Sequence, residues 1–230
     1  MGLTKTDFMR GMQCRKMLWL DKHKPRLRVI PPEIQARLDA GNDFGDRAMG
    51  MFGPYEEMTV YRPGTHIPDK KKMAEKTAQH LASGTPVICE AAFLYYNHYC
   101  AVDILRKTEN GYDFYEVKNS PEVHETFVRD AGFQNYILSR SGVKVGRIYI
   151  VTHGEDENHP FVPVDITPQA KAYYTWVNSH IWDLNRMQKE REEVMVEPGP
   201  QCREPYECWY YDYCHSQLLQ KRGEGEDEDL

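Results

Sequence analysis

The sequence predicts an α/β protein, helices packed on a mixed β-sheet, on three observations. Segments with helical period fill the first third of the chain; three strand-like runs then follow one another between residues 86 and 117; and a helix and a short apolar strand come after them. The order helices, meander, helix, strand points to an α/β sandwich whose sheet carries both strand directions.

The elements take these places. Thr4 with Asp7 resembles a capping box, opening a helix with Phe8, Met12, Met17 and Leu18 at its apolar positions. After Pro31-Pro32 a second helix is expected from Glu33 to about Met51, with Gly41, Gly45 and Ala48 forming a small-residue face suited to close packing or to a ligand. A third runs from Pro68 through Ser83 and ends at Gly84. Strands are expected at Pro86–Tyr95, Tyr99–Lys107 and Tyr112–Val117, separated by turns at Asn97-His98 and Glu109-Asn110-Gly111. A helix from Glu122 to Ser141, a buried strand from Arg147 to Thr152 and a long helix from Thr167 to Glu193, with Pro168 in its first turn, complete the core. A cysteine- and tyrosine-rich coda and an acidic end follow.

Composition excludes several classes. With 230 residues, 40% hydrophobic and 12% aromatic, the chain can bury a sizeable core and is not intrinsically disordered. No apolar run reaches the ~18 residues of a membrane span, and Lys5 and Asp7 interrupt the place of a signal-peptide core, so a soluble, cytoplasmic protein is expected. The net charge of −6 conceals an asymmetry, because the last eight residues hold five acids and the first thirty hold eight bases against two acids. Six cysteines without a secretory signal argue against a disulfide framework.

Two constellations carry chemistry. Glu116 and Lys118 share one face of a strand, and Asp103 interrupts the apolar run Ala101–Leu105 of the strand before it. A carboxylate there is costly unless compensated, and two brought together across a hairpin suit a hard divalent cation such as Mg²⁺ or Mn²⁺. Glu-x-Lys is equally the pattern of a surface salt bridge. The second constellation is Cys202, Cys208 and Cys214 at equal spacing among aromatic residues, with Cys14 far upstream as the natural fourth ligand. Four thiolates suit zinc or an iron–sulfur cluster, and the absence of a short Cys-x2-Cys favours iron–sulfur. Cys89 and Cys100 lie in apolar strands as core residues.

In this order the two constellations resemble the iron–sulfur branch of the PD-(D/E)XK nucleases, the CRISPR-associated RecB-like exonucleases and AddB-type nuclease domains. Leu3-Thr-Lys-Thr-Asp-Phe and Gln13-Cys14-Arg-Lys-Met-Leu-Trp19 look like the opening of such proteins, and the resemblance runs from Leu3 to Cys214. It implies a restriction-endonuclease-like mixed sheet flanked by helices, with an iron–sulfur segment built from the N- and C-terminal parts. The expected divisions are an N-terminal helix (1–30), a nuclease core (31–195), a cluster-binding segment (196–216) and a disordered acidic tail (217–230). Asp103 and Glu116 would be metal ligands and Lys118 the catalytic lysine; Cys14, Cys202, Cys208 and Cys214 would hold a structural 4Fe–4S cluster.

Two departures stand out. The family's first-motif histidine is replaced by Gly45, leaving water or another carboxylate (Glu90, Asp43 or Asp46) as a further metal ligand, of which Glu90 is favoured because it interrupts the apolar run Val87-Ile88-Cys89. Gln134 fits the family's glutamine–tyrosine motif, but Tyr136 does not stand four residues on. Lys5, Arg15, Lys16, Gln134 and Tyr136 are the candidate DNA contacts, with Lys70-Lys71-Lys72, Lys76 and aromatics such as Trp19, Tyr95, Tyr96 and Tyr210 extending the surface. The resemblance implies a metal-dependent DNA exonuclease on single strands or ends, in CRISPR adaptation or DNA repair, with integrase-type CRISPR proteins as candidate partners. The competing expectations are a catalytically silent iron–sulfur DNA-binding subunit and a structural zinc protein.

Overall fold

The computed structural model describes residues 2–154, 156 and 158–226. It is α/β, with an open, mixed, six-stranded sheet flanked by helices. Helices α1 (Lys5–Gln13), α2 (Arg15–His23), α3 (Pro32–Ala48) and α4 (Lys70–Ser83) occupy the first third, with the two-residue strand β1 (Glu56–Glu57) between α3 and α4. Strands β2 (Val87–Tyr95), β3 (His98–Thr108) and β4 (Gly111–Val117) form the expected antiparallel meander. Then come α5 (Glu125–Arg140), β5 (Val145–His153), β6 (Phe161–Asp165), α6 (Thr167–Met187) and α7 (Tyr211–Glu226). The strands lie in chain order across the sheet, with β1 parallel to β2 and β5 parallel to β4. Among the described residues, no helix is long and apolar enough to cross a membrane.

The chain divides into two compact units. One comprises Met1–Lys5 and Ala36–His180; the other comprises Thr6–Gln35 and Ile181–Leu230. The second unit therefore joins segments from both ends of the chain, with divisions after residues 5, 35 and 180.

In the first unit the sheet has two chemically distinct faces, as the period of two requires. Cys89, Ile104, Tyr115 and Val151 cluster on one face with Ala48 and Met49 at the end of α3, and Phe52 and Phe161 pack at the margin. The opposite face lies under α5, whose Ala131, Phe133, Ile137 and Leu138 are fully buried. Helix α4 starts where Asp69 Oδ1 accepts the Lys72 N–H at 3.2 Å, and stops at Gly84, which takes the left-handed conformation (φ 73°).

Several elements differ from expectation for local reasons. The first helix is two, because Cys14 between them is extended (φ −155°, ψ 118°). Strand β6 carries Pro163, which a strand tolerates at a sheet edge, the place β6 holds. Helix α6 stops at Met187, and Glu193 lies beyond it, its carboxylate turned toward Lys16 and Lys24. The coda folds as α7, so the boundary expected at 217 falls inside a helix; residues 227–230 of the expected tail lie outside the described residues. Gly41 and Gly45 pack against nothing: a Cβ at either would meet no atom within 4 Å. The close approach is instead at Gly132 of α5, where a Cβ would lie 2.6 Å from Tyr173 Cβ of α6.

Alanine substitutions should therefore act in opposite directions. Gly45→Ala is expected to stabilise by about 0.5–1 kcal/mol through helix propensity alone. Gly132→Ala gains the same propensity but forces α5 from Tyr173, and is expected to lower the melting temperature; circular-dichroism melts of the two variants check the sign of each.

Candidate active site

The first unit brings Asp103, Glu116, Lys118 and Glu90 together at one place on the sheet. The β3–β4 ladder runs from Thr108↔Gly111 to Ile104↔Tyr115 and stops there, which puts Asp103 and Glu116 next in register. In place of the next backbone pair, the Asp103 carboxylate accepts the Val117 N–H at 2.6 Å. On the other side of β3 the ladder with β2 steps from Cys89↔Ile104 to Ala91↔Val102, leaving out Glu90 and Asp103. Glu90 sits at that gap with φ 52°, a left-handed conformation rare for a side chain of this kind inside a strand. The sheet thus loses backbone pairing on both sides of Asp103, where its carboxylates gather.

Glu116 is the centre, 1% exposed. Its Oε1 accepts Lys5 Nζ at 2.5 Å and Lys118 Nζ at 2.9 Å, while Oε2 accepts Gln134 Nε2 at 2.5 Å. Lys118 is fixed from a second side by Asp130 Oδ2 at 2.6 Å, and its ammonium lies 5.3 Å from the centroid of the Phe127 ring. Asp130 and Gln134 are four apart on α5 and so share the helix face that meets β4. The buried Gln134 Oε1 has no hydrogen-bond partner.

Electrostatics separates the carboxylates. Burial alone would raise Glu116, but the Lys118 and Lys5 ammonium groups outweigh it and hold Glu116 well below the usual carboxylate range. Burial, then the neighbouring Glu116 charge, pushes Asp103 up. Burial pushes Glu90 up to about 7, with Lys5 opposing and Glu116, Glu57 and Asp46 adding to the rise. Burial works against a charged Lys118, yet Asp130 and Glu116 keep it protonated, well above its ordinary value.

Among the described residues, no three His, Cys, Asp or Glu side chains form a group whose geometry could hold a metal ion. The donor set nonetheless fits a hard divalent cation. Four carboxyl groups (Glu90, Asp103, Glu116 and Asp130) face two ammonium groups; burial and the Glu116 charge resist ionisation of Asp103 and Glu90, and a divalent cation there would supply the missing counter-charge. Asp43 and Asp46 of α3 line an open cavity with Arg47 and Asn119, the residue after Lys118.

The second unit holds the four cysteines, all free thiols. Cys14 stands at the N-cap of α2, Cys202 closes a 3₁₀ turn, Cys208 donates its N–H to the Cys202 carbonyl at 2.9 Å, and Cys214 lies in the first turn of α7. The sulfurs sense one another. Burial raises Cys14, with Cys202 adding to it, while the Met17 and Lys16 amides oppose. Burial likewise pushes Cys208 up to about 11, with Cys14, Cys202 and Cys214 each contributing. Thiols that repel one another's anions while backbone amides face their sulfurs are a donor set that fits zinc or an iron–sulfur cluster. Gln13 Nε2 bonds the carbonyls of Gln201 (2.9 Å) and Tyr206 (2.6 Å), and the Arg10 guanidinium lies 3.9 Å from the centroid of the Trp209 ring.

The candidate DNA contacts divide. Arg15, 48% exposed, holds a surface ion pair with Asp183 that a phosphate can replace. Lys16 is a correction: it is 3% exposed, paired with Glu193 at 2.9 Å and bonded to Gln217, and offers nothing to a strand. Tyr136 is another, fully buried with its hydroxyl donating to Asn178, so the missing spacing reflects a core role. Gln134 orients Glu116 rather than Lys118 or a phosphate, and Lys5 is bound to Glu116. Trp19 and Tyr210 are buried as well, whereas Tyr96 is exposed at the β2–β3 turn. Asp130 as the second anchor of Lys118 is legible only once α5 is known to cross β4. Comparison with protein-family models and with curated protein sequences finds no match to the chain.

Glu193 offers a test of the second unit. Burial opposes its ionisation, but hydrogen bonds from Lys24, Lys16 and Tyr213 hold it down at about 2. A depressed carboxylate stabilises above its unfolded value near 4.5 and loses that contribution as pH falls toward 2. Glu193→Gln is expected to cost about 2–3 kcal/mol at neutral pH in urea denaturation, the gap closing between about pH 5 and pH 2.

Proposed function

We propose that the chain is a divalent-metal-dependent DNA nuclease whose four cysteines hold a 4Fe–4S cluster. The observation that carries the reading is the buried pairing of Glu116 with Lys118 beside Asp103, in which the lysine is held from two sides and the carboxylates exceed the cations. Asp103 and Glu116, with Glu90, would hold Mg²⁺ or Mn²⁺. A bound cation supplies an acidified water and neutralises charge on a phosphate.

This chain's own groups supply the rest. Lys118 has three N–H bonds; Glu116 and Asp130 take two, which leaves one to aim at a phosphate oxygen or an attacking water. Because those carboxylates keep it protonated, its role is that of a cationic donor and not of a base. Gln134 holds the second oxygen of Glu116 and so sets the rotation of the carboxylate. Cleavage of single strands or ends, in CRISPR adaptation or DNA repair with integrase-type partners, is the finer reading that the resemblance suggests. Cys14, Cys202, Cys208 and Cys214 would tie α2 to the turn and helix that end the second unit, a structural role.

Two observations favour a second reading, a DNA-binding iron–sulfur subunit without cleavage: Lys5 already occupies Glu116, and glycine replaces the histidine that the resemblance leads one to expect. End-labelled single- and double-stranded DNA, incubated with anaerobically purified protein with and without Mn²⁺, separates the two. Metal-dependent cleavage that falls by at least about 10²-fold in Lys118→Ala is expected, on the scale of losing one preorganised charge-stabilising donor. Cleavage equal in the variant refutes the site, and salt-sensitive DNA binding without cleavage selects the second reading.

The same preparation tests the cluster. A brown protein with broad absorbance near about 400 nm is expected, and Cys208→Ser should lose the colour and lower the unfolding temperature. A colourless protein carrying about one zinc would replace the cluster with a structural zinc site.

A further inference from the structure

Resting on the metal-dependent reading above, we infer that Lys5 is the resident cation of the carboxylate site, and that a divalent metal must displace its ammonium group from Glu116 to bind. Both acceptor directions of the Glu116 Oε1 are taken, by Lys5 at 2.5 Å and Lys118 at 2.9 Å, and Oε2 accepts Gln134 at 2.5 Å. An oxygen facing two ammonium groups has no direction left for a third cation, and a metal placed there would be repelled by both.

Of the three donors, Lys5 is the one free to leave. Lys118 is anchored by Asp130 at 2.6 Å and by its own N–H to the Val151 carbonyl at 2.9 Å. Gln134 is fully buried in the middle of α5. Among the described residues, the ion pair with Glu116 is the one Lys5 makes, and its side chain is 24% exposed. The backbone behind it is fixed. The Leu3 carbonyl accepts the Tyr99 N–H at 2.8 Å, the Leu3 N–H bonds His98 Nδ1 at 3.1 Å, and Thr4 bridges in parallel to Tyr99. Gly2 passes so close to the β2–β3 turn that a Cβ would lie 2.1 Å from the Asn97 carbonyl oxygen. Exchange of Lys5 for a metal is therefore a swing of one side chain about a held backbone, with no refolding.

Lys5 thus stands apart from the phosphate contacts with which its charge groups it in the sequence. In the metal-free protein it shields Glu116 from Asp103 and Glu90, and with metal bound it is released at the mouth of the site.

The test is a Mn²⁺ titration of the metal-depleted, anaerobically purified full chain, free Mn²⁺ being read by electron paramagnetic resonance, for the wild type, Lys5→Met and Asp103→Asn. Lys5→Met keeps the length of the side chain and removes its charge, and is expected to bind Mn²⁺ about tenfold tighter than the wild type, while Asp103→Asn loses the site. If the wild type binds at an Asp103-dependent site and Lys5→Met binds no tighter, the Lys5 inference alone is overturned. If no Asp103-dependent binding occurs in either protein, the metal reading fails and this inference with it. A second measurement needs no variant: reductive methylation of Lys5 in the wild type, quantified by mass spectrometry against the exposed Lys71, should rise several-fold on saturation with Mg²⁺. An unchanged or lower rate overturns displacement.

Discussion

Burying one carboxylate organises the first unit. Removing an ionised Glu116 from water costs several kcal/mol unless both oxygens are bonded and the charge is balanced, and the structure meets both conditions from three different places in the chain. Lys118 comes from the same strand, Gln134 from the crossover helix, and Lys5 from the N-terminal segment beside β3. Lys118 in turn requires Asp130, one turn before Gln134. The crossing of α5 over β4 is thus constrained by polar contacts at one end and by Phe133, Ile137 and Leu138 along the rest. Loss of one member leaves a buried charge unpaired, so these residues behave as a unit rather than as separate contributors.

The second unit solves a different problem. It is assembled from segments far apart in sequence, as the Gln13–Gln201 contact across 188 residues illustrates, and such closure costs entropy before any contact rewards it. Its polar contacts are charge-assisted: Arg10 and Arg28 on Asp21, Lys16 and Lys24 on Glu193, with the Tyr210 hydroxyl on Asp21. Trp209 receives Arg10 and Arg28 on its ring. A ligand shared by four sulfurs would act as a cross-link between the same segments, which is where such a link removes the most freedom from the unfolded chain.

How much of this was legible depends on the range of the interaction. The meander was readable because its alternation is local, and the period of two alone puts Glu116 and Lys118 on one face. Helix α5 is legible as the segment from Glu122 to Ser141, which Gly142 closes. What escapes is set by tertiary structure or by weak patterning: β6 carries Pro163 within its five residues, α7 has no apolar stripe, and the break at Cys14 lies inside an uninterrupted helical pattern. Gly41 and Gly45 have the spacing of a packing face and no neighbour to fill it. The basic residues near the N-terminus look like one group because charge is visible in sequence and its partner is not. Lys5 finds Glu116 at a separation of 111 residues, and Lys16 finds Glu193 in the coda's unit.

The backbone at Glu90 has a consequence of its own. A side chain in the left-handed region costs about 1–2 kcal/mol, and glycine or asparagine would bear that conformation more easily. The same residue brings a carboxyl group into an interior that resists its ionisation. Its neighbours in the ladder, Cys89 and Ala91, show the ordinary alternative: small, apolar and paired. For the stability of the sheet alone, a small apolar residue at this position would be the better choice on both counts.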